Sequence, residues 1–379
     1  MISLNDFSKH IEDMVSILRQ MVEIESPSTQ KAAVDRMGVY VAEQMRALDA
    51  AITINRQEIT GNHILARWGG ETEETGILIL CHMDTVFPVG TLKHQPCFQE
   101  NGRLYGPGVT DMKAGIAILA GVIKVLQGSG NLALPPITAL FTSDEEIGSE
   151  TSRPLIESLA RGKDLVLCLE PGLSNGGLKT WRKGVGEYEV QVQGRASHAG
   201  GEHEQGRNAI EELAYHVLEI QKFTNYGKGT TLNVGMIQGG TASNVVPNEA
   251  KAIVDLRVLS LDEAERIDRE MKSIQPVIQG TSVQVTGGLN RPPMPRDELM
   301  AATFQKAQRI ADSFGIHLVE GGTGGGSDAN FVAPLGVPVL DGLGGLGGGM
   351  HSEREYLIID SLPQRSALLA AILLNWYTD

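Results

Sequence analysis

Short apolar runs alternating with stretches of helical spacing constrain this chain more than any other feature. Ile77-Leu-Ile-Leu-Cys81, Ile137-Thr-Ala-Leu-Phe141 and Leu165-Val-Leu-Cys-Leu169 are each about one strand long, and helical periodicity separates them at Ala114 to Leu126 and Pro154 to Ala160. A strand apolar on both faces has to be covered on both faces, so the pattern predicts an α/β fold with a mainly parallel sheet between helices. Two helices precede it, Ile11 to Met21 and Val34 to Leu48. From Gly184 the order changes to strand (Glu187 to Val192), helix (Asn208 to Phe223), strands (Thr230 to Ile237 and Glu249 to Val258), helix (Leu261 to Ile274) and strand (Ser282 to Thr286). That is the ferredoxin-like α+β plan. After Arg291-Pro-Pro-Met-Pro295 the first pattern resumes with a helix from Leu299 to Phe314, the strand Pro338-Val-Leu340 and a helix from Leu362 to Trp376. The expected organisation is a larger domain at 1–178 and 289–379, interrupted by an inserted domain at 179–288.

Composition narrows the class of partner. Apolar residues make up 41% of the 379 and charged residues 21%, the profile of a globular chain. Lysine and arginine total 32 against 46 acidic residues, a formal charge of −14, so neither nucleic acid nor an anionic membrane is an expected partner. There is no run of 18 apolar residues, and Met1 to His10 lacks a basic segment followed by an apolar one, so a cytoplasmic location is expected. Three cysteines, Cys81, Cys97 and Cys168, without CxxC spacing predict no disulfide framework. The 45 glycines concentrate towards the C-terminus.

Open α/β sheets bind ligands beyond the carboxyl ends of their strands. The apolar runs lead at those ends into His82-Met-Asp84, Asp144-Glu145-Glu146 and Glu170, and the run at 338–340 leads through glycines to His351. Asp111 lies in Gly106-Pro-Gly-Val-Thr-Asp111-Met-Lys113, ahead of a helix. Singly, Asp111 reads as a helix N-cap, His82 as a strand-end histidine and Glu145-Glu146 as a solvated acidic turn. Together, two histidines and several carboxylates on one sheet edge repel one another unless cations intervene, and two divalent ions relieve that repulsion. A zinc ion takes about four N/O ligands, so His82 with Glu170 can serve one ion and His351 with Glu146 a second, with Asp111 shared. Asp84, two residues past His82, is placed to accept the imidazole's other N–H. Glu145 is left for the proton transfers of hydrolysis.

These segments, with Leu169-Glu170-Pro171 and Met350-His351-Ser352, resemble the successive metal motifs of the M20 metallopeptidases. Arg195-Ala-Ser-His198-Ala-Gly200, Ala242-Ser-Asn244-Val-Val-Pro247, Asp255-Leu-Arg257 and Gly324-Gly-Gly-Ser-Asp-Ala329 resemble the glutamate carboxypeptidases of the folate-cleaving type within that family. The resemblance implies a phosphorylase/hydrolase-like zinc peptidase domain with two Zn2+ per subunit, Co2+ or Mn2+ being alternatives. It also implies a non-proline cis peptide after Asp111 and a homodimer formed through the inserted domain, which doubles as a lid. His198 matches the histidine that enters the partner's active site and stabilises the oxyanion. Asn244 and Arg257 match residues that hold the substrate carboxylate, Gly325 and Gly326 would let backbone approach the substrate, and Arg291 would assist at the hinge.

Gly342-Leu-Gly-Gly-Leu-Gly347 satisfies GxGxxG after a strand, but no helix opens behind it, so a flexible loop delivering His351 is expected rather than a dinucleotide site. No GxSxG or GxxxxGK[ST] motif occurs, and Lys113 reads as a helix-start residue. The expected function is a metallo-carboxypeptidase that cleaves a small peptide or N-acyl amide and releases a C-terminal amino acid, glutamate foremost. The alternatives are an N-acyl amino acid deacylase of the acetylornithine or succinyl-diaminopimelate type and, more remotely, a non-enzymatic peptide-binding dimer.

Overall fold

The structure, a computed structural model, describes residues 3–69, 75–129 and 135–378. At its centre four strands run parallel: Ile137–Thr142 beside Ile77–His82, then Leu165–Cys168, then Val339–Asp341. Every residue of Ile77–His82 and Ile137–Thr142 is buried, which is why these strands read as unbroken apolar runs. Among the described residues the sheet has eight strands. Ala51–Asn55 and His63–Trp68 extend one side antiparallel, and Leu178–Arg182 and Glu320–Thr323 extend the other. The helix Ala114–Gly128 is buried almost all round, as its near-continuous apolar sequence requires, and packs against Ser361–Asn375 and Ile11–Glu23. Parallel pairing brings His82 level with Thr142, and Leu80 and Asp341 level with Cys168. The residues following each strand therefore gather at one rim.

The chain divides into two compact units, Met1–Trp181 with Arg296–Gly322 and Ser327–Asp379, and Arg182–Pro295 with Thr323–Gly326. The glycines at 324–326 thus pack with the smaller unit. That unit has the ferredoxin-like form: an antiparallel sheet in the order Thr231–Gly239, Glu249–Val258, Gly184–Gln193, Ser282–Arg291, with helices Ala209–Lys222 and Leu261–Lys272 packed on it. Along Glu249–Val258, Ala250, Ala252, Val254, Leu256 and Val258 are buried, one per two residues, so a single face meets the helices. Asn208 caps the first helix by accepting from the N–H groups of Ile210 and Glu211.

The glycine loop before His351 departs from expectation. It is tied down rather than flexible: the buried Arg365 donates to the carbonyls of Gly344 (2.8 Å), Gly176 (2.7 Å) and Gly342. A Cβ at Gly347 would lie 2.0 Å from the Tyr356 carbonyl, so close packing, not mobility, demands glycine there. Among the described residues no helix is long and apolar enough to cross a membrane.

Candidate active site

Asp111 is the hub of the rim. Its two carboxylate oxygens face different imidazoles: Oδ1 lies 3.1 Å from His82 Nε2 and Oδ2 lies 3.3 Å from His351 Nε2. A second carboxylate approaches the same nitrogen of each imidazole, Glu170 at 3.5 Å from His82 Nε2 and Glu146 at 3.2 Å from His351 Nε2. Donor atoms of His82, Asp111 and Glu146 all lie within 4.8 Å of one another. Asp111 caps no helix; it precedes a cis peptide to Met112 in an irregular turn, and the helix begins at Ala114. His351 adopts φ 60, a left-handed conformation that costs a non-glycine residue of order 1–3 kcal/mol and that occurs preferentially at functional positions.

The electrostatics describe a site short of positive charge. Burial opposes protonation of His82, yet Asp111, Asp84 and Glu170 around it lift the imidazole well above its ordinary value. Asp111 and Glu146 push His351 up to about 11. Asp111 is held far below the carboxylate range, the two imidazoles outweighing its burial, whereas burial raises Glu146. Both imidazoles are thereby pushed towards their protonated, positively charged forms. Three carboxylates and two imidazole nitrogens converging in this way fit divalent ions, which would replace those protons and neutralise the cluster.

Asp84 differs in detail from expectation. The nearer acceptor for His82 Nδ1 is the Asp84 main-chain carbonyl, at 3.0 Å, and the carboxylate stands off at 3.6 Å. That carboxylate accepts instead from Ser28 Oγ (2.6 Å) and from the N–H groups of Glu145 (3.3 Å) and Glu146 (3.1 Å). It therefore fixes the turn that presents both glutamates. Glu145 is partly buried and lines a small recess with His82, Met112 and Glu170.

The smaller unit gathers the other candidate residues in two places. Ser197–His198 pairs antiparallel with Val245–Val246, so His198 and Asn244 are close neighbours, both exposed. His198 Nδ1 accepts from the N–H groups of Gly200 and Gly201, both at 3.0 Å, which leaves its proton on Nε2 and makes that atom a donor. Elsewhere, Arg257 lies against Asp255 (Nη2 to Oδ2, 2.8 Å) and reaches the Gly324 carbonyl at 3.4 Å. Arg291 is buried, and a Cβ at Gly326 would come 2.8 Å from its Cδ. Packing on Arg291 thus accounts for glycine at 326, while a Cβ at Gly325 would meet only ordinary contacts, Thr323 Oγ1 at 3.9 Å and Arg182 Nη1 at 4.0 Å.

Three residues were not legible in the sequence. Arg182, buried, donates to the carbonyls of Gly325 (3.2 Å) and Gly326 (2.8 Å) and shapes that loop. Lys179, also buried, lies 4.0 Å from Glu170. Glu355, fully buried, accepts from the backbone of the Asp111 turn. The one available hint at 355 was an acidic residue directly before Tyr-Leu-Ile-Ile, a poor place to solvate a charge.

Comparison with known proteins adds an independent line. The sequence profile of Peptidase family M20/M25/M40 matches residues 78–375. The chain is 30% identical over 372 residues to carboxypeptidase G2 of Pseudomonas sp. (strain RS-16), covering 96% of this chain and 89% of that protein. It is 28% identical over 343 residues to a succinyl-diaminopimelate desuccinylase of Paracoccus denitrificans, covering 83% and 86%. Its fold matches a dinuclear metal-binding M20 peptidase from Bacillus subtilis with a TM-score of 0.68 at 15% identity, covering 97% and 98% of the two chains.

Proposed function

The chain belongs to peptidase family M20, whose members are metallopeptidases and amidohydrolases, and from this premise we propose that it is a metallo-carboxypeptidase releasing a C-terminal amino acid, glutamate foremost, from a small peptide or N-acyl amide. The observation that carries the proposal is Asp111 set between two imidazoles, each of whose Nε2 atoms also meets a carboxylate of its own. Two divalent ions, zinc foremost with cobalt or manganese as alternatives, would be held by His82 and Glu170, by His351 and Glu146, and by Asp111 in common. Bound there, they would polarise the scissile carbonyl and activate water.

The chain's own residues do the rest. Glu145 takes the proton of the attacking water and returns it to the departing amine, the work of a carboxylate held on a fixed turn by Asp84. His198 donates from Nε2 to the developing oxyanion in the active site of a second copy of the chain. Asn244 and Arg257 hold the free α-carboxylate of the substrate, Arg257 through its planar guanidinium, and Arg291 and the backbone at Gly325 and Gly326 complete the pocket. The larger unit serves as the catalytic domain and the smaller as dimerisation and lid domain. Exposed Leu218 and Tyr215 on the helix Ala209–Lys222, and Met236 and Ile237 on the edge strand Thr231–Gly239, support an interface there.

The likeness to a desuccinylase keeps one second reading, deacylation of N-acyl amino acids at the same centre. Initial rates on zinc-loaded protein decide between them. Release of glutamate from aroyl- and peptidyl-glutamates at a kcat/KM at least tenfold above that for N-succinyl-diaminopimelate and N-acetylornithine is expected; the reverse order would establish the deacylase.

A further inference from the structure

Asp111 can meet two imidazoles only if its backbone is held in one place, and the turn that carries it has no regular secondary structure to do so. Gly108, at φ 71, reverses the chain, and a Cβ there would lie 2.5 Å from Thr85 Cγ2. The N–H groups of Gly108, Thr110 and Asp111 then point to one spot. The Glu355 carboxylate fills it, with Oε2 3.0 Å from Gly108 N, and Oε1 2.8 Å from Thr110 N and 3.0 Å from Asp111 N. The same two segments are laced together twice more, by Gly106 N–H to the Glu355 carbonyl (3.3 Å) and Thr110 Oγ1 to the Tyr356 carbonyl (2.6 Å).

Glu355 is also tied through the chain to the segment that carries His351. It lies four residues after His351 in a tight turn, in which Ser352 N–H donates to Gly349 O and Glu355 N–H to Ser352 O, both at 3.1 Å. One carboxylate therefore connects the segment bearing Asp111 to the segment bearing His351. Burying a charge is costly, and a neutral side chain could join two strands at less expense. What a neutral amide cannot do is accept from three converging donors, because its NH2 would face one of them.

We propose that Glu355 is the positioning residue of the centre: acting through the Asp111 backbone, it sets the shared aspartate between His82 and His351 and so governs how tightly and in what geometry divalent ions are held. This rests on the metal-centre reading above. The test uses the full-length protein and its Glu355→Gln and Glu355→Asp variants, with Zn2+ affinity measured by chelator competition and the visible spectrum recorded after loading with Co2+. Thermal unfolding of the metal-free proteins runs beside them. Glu355→Gln is expected to weaken Zn2+ binding about 10–100-fold and to alter the Co2+ spectrum, with Glu355→Asp intermediate. Unchanged Zn2+ affinity and Co2+ spectrum, with only the metal-free unfolding temperature lowered, would reduce Glu355 to a structural tie and overturn the proposal. Should Glu355→Gln fail to fold, Glu355→Asp decides by the same two readouts, since it keeps both acceptor oxygens one methylene further back. If the unsubstituted protein itself binds no Zn2+, the metal-centre reading fails; binding that is identical in wild type and variants removes only the role of Glu355.

Discussion

Glu145 and Glu146 are chemically alike and adjacent, yet their surroundings differ. Glu146 lies 3.2 Å from His351 Nε2 and is pushed towards its neutral form by burial, the state a cation would reverse. Glu145 is presented by the turn that Asp84 fixes. Substituting Glu145→Ala is therefore expected to lower kcat by about 10²–10⁴-fold while leaving the metal content unchanged, as read by steady-state kinetics with elemental analysis on the same sample. Loss of metal in that variant would make Glu145 a ligand. Asp84→Asn should leave the backbone carbonyl to His82 in place but disturb both glutamates, lowering kcat more than it raises KM. His82, Glu146 and Glu170 were legible because they stand at or just past the ends of apolar strands, and Asp111 and His351 because they recur in metal-type motifs at the same rim. Arg182, Lys179 and Glu355 were not, because their meaning comes from burial and tertiary contact, which no local pattern records.

At the scale of elements, periodicity identified what packing rewards regularly. Glu249–Val258 alternates buried and half-exposed positions throughout, and its sequence bounds coincide with the observed strand. The strands added at the sheet margins escaped notice for physical reasons. Glu320–Thr323 contains two glycines and has little strand propensity; it is set by contact, with a Cβ at Gly322 falling 2.1 Å from the Trp181 ring. His63–Trp68 begins with a buried histidine held by Ser143 and Thr151. Polar clamps of this kind also stabilise the smaller unit. Glu212, fully buried, accepts from Val277 N (2.7 Å), Ile278 N (2.6 Å) and Thr281 Oγ1 (3.0 Å). Glu212→Ala should destabilise the unit by ~1–3 kcal/mol in denaturant titrations, because those N–H groups lose their acceptor. Glu263 adds a pH dependence. Arg266 first, and Lys228 next, hold its carboxyl down at about 2. An unfolded glutamate titrates near ~4.3, so the stability from this cluster is complete above that pH and is lost as pH falls towards 2. Glu263→Gln should flatten the acid limb of a stability–pH curve; an unchanged limb would remove the cluster from the account.

For the molecule as a whole, the family was legible, since motifs in order along nearly the entire chain leave few alternatives. A surface that would join copies of the chain was not, because surface apolar residues look alike in sequence whether or not they are covered. Leu218→Glu combined with Ile237→Lys is expected to yield a folded monomer by sedimentation, with activity lost because His198 then has no second site to serve. Mixing His198→Ala with Glu145→Ala subunits should recover part of the activity; no recovery would place His198 in its own subunit's site. Sharing of Asp111 between two ions, as proposed, would place both beside its carboxylate. Zinc-edge anomalous diffraction from crystals grown with zinc tests it most directly. Two peaks about 3.5–4 Å apart on either side of Asp111, one beside His82 and Glu170 and one beside His351 and Glu146, are predicted. A single peak, or density elsewhere with none at Asp111, would contradict it.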